Sequence, residues 1–286
     1  MSSGTKACRE ILDSLTAYLE GAVSPRDRQR FESHCRACAG CRAGLEQMRT
    51  IVESLGRSGG QHESTAGPEK ERILGLFRDY GLHRPGHRQR RIPLGLGDST
   101  VAPGDHVAYF WESEQEFQAA AGFLSAGVGE QEVCILLGHD EANERAAAEF
   151  KRAGIDVTAL RRQGRLHLVS GKRSADALLE EIGERVKTAV HRGEPLVRIL
   201  GNLGWGRPDW PTDRDLLSLE ARVTDAVRIL PTVVMCAYDV RQVPGRNLLL
   251  GGLECHPLTF RRGALRTNAH YVPVDPFLAA LDSEPT

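Results

Sequence analysis

No apolar run in this 286-residue chain approaches the roughly 18–20 residues needed to cross a bilayer. The N-terminal stretch MSSGTKACREILDSL carries charges where a secretory signal needs its apolar core, so the expectation is a cytoplasmic protein with no membrane partner. An excess of one charge is lacking too. Against 37 Lys+Arg stand 38 Asp+Glu, a net charge of −1, which gives no global field to draw in a nucleic acid or an acidic bilayer. Three sequence signatures are also missing. Gly171-Lys172 is followed by Arg173, and Leu166 stands where a phosphate loop needs its first glycine. Residues 93–286 contain no G-x-G-x-x-G fingerprint and no G-x-S-x-G elbow. With no recognisable catalytic constellation, the chain reads as a non-enzyme.

What is present is unevenly spread. Residues 1–60 carry 9 basic and 7 acidic side chains, residues 61–92 carry 7 and 4, and the remainder 21 and 27. Four of the 7 cysteines, Cys8, Cys35, Cys38 and Cys41, fall in the first 41 residues. The length accommodates one large domain or two unequal ones. The local compositions divide it into residues 1–56, a linker over 57–92, and a larger domain over 93–286.

In the first segment Ile11, Leu12, Leu15, Leu19 and Ala22 recur at helical spacing, and Gly21 closes that helix. Ser24-Pro25-Arg26-Asp27 then supplies an N-cap, a proline at the first helical position and an acid at the positive end of the helix dipole, so a second helix should run through Phe31 to about Cys38. The short connection favours an antiparallel hairpin that brings Cys8 to the return arm, where His34 and Cys38 share a face and Cys41 follows. Three thiolates and one imidazole are a closed tetrahedral set for structural Zn²⁺, and a small helical module with little core needs such a staple. Cys35 points about 100° away from His34 on the helix, either as a packed small residue or in a redox role.

The residues Cys8, Tyr18, Gly21, Ser24-Pro25, Phe31 and His34-x3-Cys38-x2-Cys41 together resemble the zinc-binding anti-sigma domain. That resemblance implies that Cys8, His34, Cys38 and Cys41 ligate zinc and that the helices sequester a sigma factor. In some members oxidation of the thiols releases zinc.

The linker opens on Gly56-Arg57-Ser58-Gly59-Gly60, a flexible composition. After Pro68, Ile73, Leu74, Phe77 and Leu82 mark a short amphipathic helix, an added arm for gripping a partner. The basic run from His83 to Arg91 reads as a solvated tether or as an electrostatic contact.

Beyond it, strand-like runs at His106–Trp111, Glu132–Gly138, Leu166–Ser170, Leu196–Leu203 and Thr232–Tyr238 alternate with helix candidates at Ser113–Ala126, Asp140–Ala153, Ala175–His191 and Asp213–Leu230. That alternation predicts an α/β domain with a mainly parallel sheet, and Leu258–Tyr271 reads as a hairpin closing one edge. Polar residues at the carboxyl ends of the strands, His139, Asn202, Trp205, Tyr238 and Asp239, are candidate ligand contacts. Cys134 and Cys236, inside strands, read as core. The series Gly104-Asp105-His106, Gly127-x-Gly129-Glu130, Leu219-Glu220-Ala221-Arg222, Cys236-Ala237-Tyr238-Asp239, His256-Pro257 and Asn268 is similar to the MEDS sensory domain. The resemblance implies a RecA/KaiC-like α/β fold that senses a small molecule, and it adds Asp105 and His106 to the ligand candidates.

Taken together, the residues and both resemblances point to a cytoplasmic transcription regulator. It would hold Zn²⁺ and a sigma factor through its N-terminal helices and a small ligand through its α/β domain. A zinc-dependent thiol redox sensor and a nucleotide-binding signalling protein are the competing readings. The near balance of charge in the N-terminal module argues against direct nucleic-acid binding.

Overall fold

The computed structural model describes residues 11, 14, 18, 23–38, 41, 42, 45, 90–171, 174–228 and 230–283. The chain divides into two compact units, Met1–His87 and Arg88–Thr286. Cys8, most of the first N-terminal helix and the expected linker with its amphipathic helix lie outside the described residues.

In the first unit, helix α1 spans Pro25–Ala37. Ser24 is its N-cap, with Oγ accepting from the Asp27 amide at 3.2 Å, and Pro25 starts the helix where its missing N–H costs nothing. Phe31 and Cys35 are buried on one face. The Tyr18 ring stacks on Phe31 at 4.1 Å, and its hydroxyl donates to Glu32 at 3.2 Å, which holds Tyr18 against α1.

The second unit opens with a two-stranded hairpin, β1 (Ile92–Pro93) and β2 (Thr100–Val101). The main sheet contains β3 (His106–Trp111), β4 (Val133–Gly138), β5 (Leu166–Val169), β6 (Val197–Asn202), β7 (Thr232–Asp239), β8 (Leu258–Arg261) and β9 (Ala264–Thr267), in the order β5-β4-β6-β7-β3-β8-β9. All neighbours are parallel except β8 and β9, the hairpin expected at one edge. Every residue of β4 and of β7 is buried, as both-faces coverage of a central parallel strand requires.

Helices α2 (Glu114–Gly129), α3 (Asp140–Arg152), α4 (Val157–Arg162), α5 (Ala175–His191) and α6 (Asp213–Val227) form the crossovers. Their N-caps, Ser113, His139, Asp156, Ser174 and Thr212, each accept a backbone N–H from the first turn. After β7 a short helical turn, Gly245–Asn247, runs into a π-helix over Leu248–Glu254, and α7 (Val274–Ser283) follows β9. Neither the π-helix nor α7 was expected from periodicity.

Side-chain alternation divides the sheet into two faces. Val107, Tyr109, Trp111, Val233, Met235 and Ala237 join Phe117, Phe123, Leu124, Ala146 and Phe150 of α2 and α3 in one apolar core. The opposite face carries His106, Ala108, Cys236 and Tyr238, with Ala108 in register with Cys236. There Leu217 and Ala221 of α6 cluster with Cys255, Val274, Phe277 and Leu281.

Candidate functional site

In the first unit, α1 ends so as to gather donors. The Cys38 N–H bonds the His34 carbonyl at 2.8 Å, and Cys38 itself leaves the helix in an extended conformation. The Arg42 amide bonds the Cys38 carbonyl at 3.0 Å. As a result an imidazole nitrogen of His34 and the Cys38 and Cys41 sulfurs lie within 4.8 Å of one another. Two thiols and an imidazole suit a zinc-class ion and need one more donor to close a tetrahedron. Cys8, the expected fourth, falls outside the described residues. Cys35 is buried on the Phe31 face of α1.

The candidates at the strand ends of the second unit do not meet at one point. The Asp105 carboxylate accepts from the Ala102 amide at 2.8 Å and closes a turn before β3. His139 caps α3, with Nδ1 accepting from the Ala142 amide at 3.3 Å. Asn202 ends β6 in register with Gly138. Both Asp239 oxygens accept from the Arg241 guanidinium, at 2.9 and 2.8 Å, and Gln242 adds a bond at 2.9 Å. Burial raises the Asp239 pKa, but these bonds from Arg241 outweigh it and hold the carboxyl below its ordinary 3.8. Trp205 stacks on the Tyr238 ring at 6.1 Å. A polar groove of about 370 Å³ lies elsewhere, lined by Ser174 and Asp176 at the start of α5 and by Asp215, Ser218 and Arg222 along α6.

His106 and Tyr238 enter something different, a wholly buried polar network beneath α6. His106 opens β3, Cys236 and Tyr238 lie in β7, Glu220 and Thr224 project from α6, and His256 follows the π-helix. The Tyr238 hydroxyl donates to Glu220 Oε1 at 3.0 Å, and the Cys236 thiol lies 3.3 Å from Glu220 Oε2. His106 Nε2 sits 3.3 Å from the Cys236 sulfur and 3.6 Å from Glu220 Oε2, and His256 Nε2 sits 3.5 Å from that same oxygen. The two imidazole rings are 3.9 Å apart.

Burial favours the uncharged form of each member. It lowers His106 well below its ordinary 6.5, helped by the neighbouring His256. His256 falls to about 3 against the pull of backbone bonds at Gly251 and Gly252. Glu220 rises to about 7 despite bonds from Cys236 and Tyr238. The Cys236 thiol and the Tyr238 phenol are both pushed well above their usual ranges, first by burial and then by Glu220.

Among known proteins, the family described as MEDS, MEthanogen/methylotroph, DcmR Sensory domain, matches residues 105–257. The chain belongs to the MEDS family. A zinc-finger family matches residues 8–42, the span from Cys8 past Cys41. The chain is 21% identical over 184 residues to the transcriptional repressor DcmR of Methylorubrum extorquens, an alignment covering 63% of this chain and 69% of that one. Against the solved KaiC-like protein PH0186 of Pyrococcus horikoshii, the TM-score is 0.43 at 14% identity, covering 59% of this chain and 79% of that one.

Within the MEDS domain, sequence reasoning assigned no role to Glu220, Thr224 or His256 and placed Cys236 in an apolar core. One signal was available. Glu220 and Thr224 stand on the buried stripe of α6 with Leu216, Leu217, Ala221 and Val227, and a carboxylate on such a stripe requires buried partners.

Proposed function

We propose that this protein is a transcription regulator in which an N-terminal zinc-stapled helical unit binds and occludes a sigma factor while the MEDS domain senses a small ligand. The observation that carries the reading is the gathering of His34, Cys38 and Cys41 at the end of α1, within the segment matched by the zinc-finger family and in the same chain as a MEDS domain. A repressor among the curated relatives supports a regulatory role.

Cys8, His34, Cys38 and Cys41 would hold the zinc, whose contribution is structural. Four protein donors leave no open position, so the ion cross-links the helices instead of activating a substrate. On this reading the protein is cytoplasmic and not an enzyme. The signal at the MEDS domain shifts sigma-factor binding only insofar as it binds the free and complexed states with different affinities.

The test is direct mixing of the purified full chain with each sigma factor of its source cell, followed by size-exclusion chromatography and zinc analysis. The wild-type chain should co-elute with one of them and Cys38→Ser should lose both the N-terminal zinc and the complex. Failure of every sigma factor to co-elute with the wild-type chain would sink this reading.

A further inference from the structure

We propose that His106, Glu220, Cys236 and His256 form an internal metal centre of the MEDS domain that takes a divalent transition-metal ion of the zinc class. The proposal is independent of the zinc-finger unit.

The tautomers follow from the partners behind each ring. Thr224 Oγ1 donates its proton to the Cys255 carbonyl at 2.8 Å, so it can only accept from His106 Nδ1, 2.8 Å away. His256 Nδ1 faces the Gly251 carbonyl at 2.8 Å, and a carbonyl has nothing to donate. Both protons therefore sit on Nδ1, and both Nε2 lone pairs point inward. Glu220 is held from behind in the same way, by the Tyr238 hydroxyl on Oε1, so that Oε2 faces the rings. Imidazoles fixed by a hydrogen bond on the far nitrogen, and a carboxylate fixed on its far oxygen, are the outer-shell arrangement of metal ligands.

The cluster holds the S–H of Cys236 and at most one proton on Glu220, and with that carboxylate ionised the count of donors falls short. Three acceptors, His106 Nε2, His256 Nε2 and Glu220 Oε2, converge on the single S–H of Cys236, and His256 Nε2 has no hydrogen-bond partner although its side chain is fully buried. A fully buried lone pair without a donor is costly. One cation at the centre satisfies all four atoms at once. Loading would send the Cys236 thiol proton, and any proton held on Glu220, to solvent. The thiolate and carboxylate then neutralise the two charges of the ion, which suits a site with no exposure.

The dimensions agree. Bonds of about 2.0–2.2 Å to N or O and about 2.3 Å to S give tetrahedral edges of roughly 3.3–3.6 Å. The observed separations are 3.3 Å for His106–Cys236, 3.6 Å for His106–Glu220, 3.5 Å for His256–Glu220 and 3.3 Å for Cys236–Glu220, and all four donor atoms lie within 4.8 Å of one another. A thiolate and two imidazoles select a zinc-class ion over Mg²⁺ or Ca²⁺, which take oxygen shells. Because the donors come from β3, β7, α6 and the end of the π-helix, an ion here ties those elements together and binds only the folded domain.

The test uses the full chain carrying Cys8→Ser, Cys38→Ser and Cys41→Ser, which removes the N-terminal thiols of the finger. After chelation, titration with Co²⁺ should load about one equivalent, with tetrahedral d–d bands and a thiolate-to-cobalt charge-transfer band in the near ultraviolet. Adding Cys236→Ser should abolish the charge-transfer band, and adding His256→Gln should weaken binding by about tenfold or more. Zn²⁺ should raise the thermal midpoint of the triple variant. A folded triple variant that takes up no Co²⁺ and shows no Zn²⁺-dependent midpoint overturns the proposal, as does a charge-transfer band that survives Cys236→Ser. If the Cys236 variant does not fold, uptake and midpoint in the triple variant decide the matter.

Discussion

Arg198 Nε and Glu132 Oε2 meet at 2.5 Å with neither side chain exposed, an ion pair sealed beneath α2 in the apolar core of the MEDS domain. The guanidinium also bonds the Phe123 carbonyl at 3.2 Å and lies over the Phe123 ring, 5.2 Å from its centre. Removing one partner would strand the other charge in the core. Arg198→Met should therefore lower the unfolding free energy by about 3–5 kcal/mol, and adding Glu132→Gln should recover part of the loss. Urea unfolding of the single and double variants checks this through the shift in midpoint at constant slope.

The Asp239–Arg241 pair makes a pH prediction. Because the folded Asp239 carboxyl titrates below its ordinary value, it adds stability that is present above that value and is lost as the pH falls below about 4. Arg241→Gln should lower stability at neutral pH and flatten this part of the acid limb. Urea midpoints measured between pH 3 and 7 in both proteins should converge toward the acid end. Parallel curves would contradict the assignment.

Gly252 of the π-helix lies flat on an aromatic ring. A Cβ there would come within 2.6 Å of Phe110 Cε1, and Phe110 stacks on Tyr238. Gly252→Ala should cost about 1–3 kcal/mol by overpacking. Combining it with Phe110→Leu should relieve part of that cost, which a double-mutant cycle measures directly.

In the N-terminal unit, Ser24 both accepts the Asp27 amide and donates to its carboxylate at 2.6 Å. Ser24→Ala should destabilise α1 by about 1 kcal/mol. The loss should appear as faster amide exchange within Pro25–Ala37, while amides of β4 and β7 exchange as before.

The helices and strands were legible because their signals are local. Ser24-Pro25 announced the start of α1, and the alternation of apolar strands with amphipathic runs announced a parallel sheet, with Ala175–His191 located to the residue. The gathering of His34, Cys38 and Cys41 could be read for the same reason, since a single helix end places all three. The π-helix was not legible. Leu248–Glu254 holds an apolar run with two glycines, which has no helical period to read, and its glycines lie close against the Phe110 and Tyr238 rings, distant in sequence.

By itself the sequence determined the class of each element and which face of it turns inward, because periodicity is a property of neighbours within a few residues. It could not determine which inward-facing residues meet. Cys236 stands among valines and methionine in β7 and reads as core until strand order places β3 beside it, α6 above it and His256 at the end of the π-helix. Only that packing brings residues 106, 220, 236 and 256 to one point. It excludes the water that would otherwise satisfy them and makes their mutual distances chemically decisive.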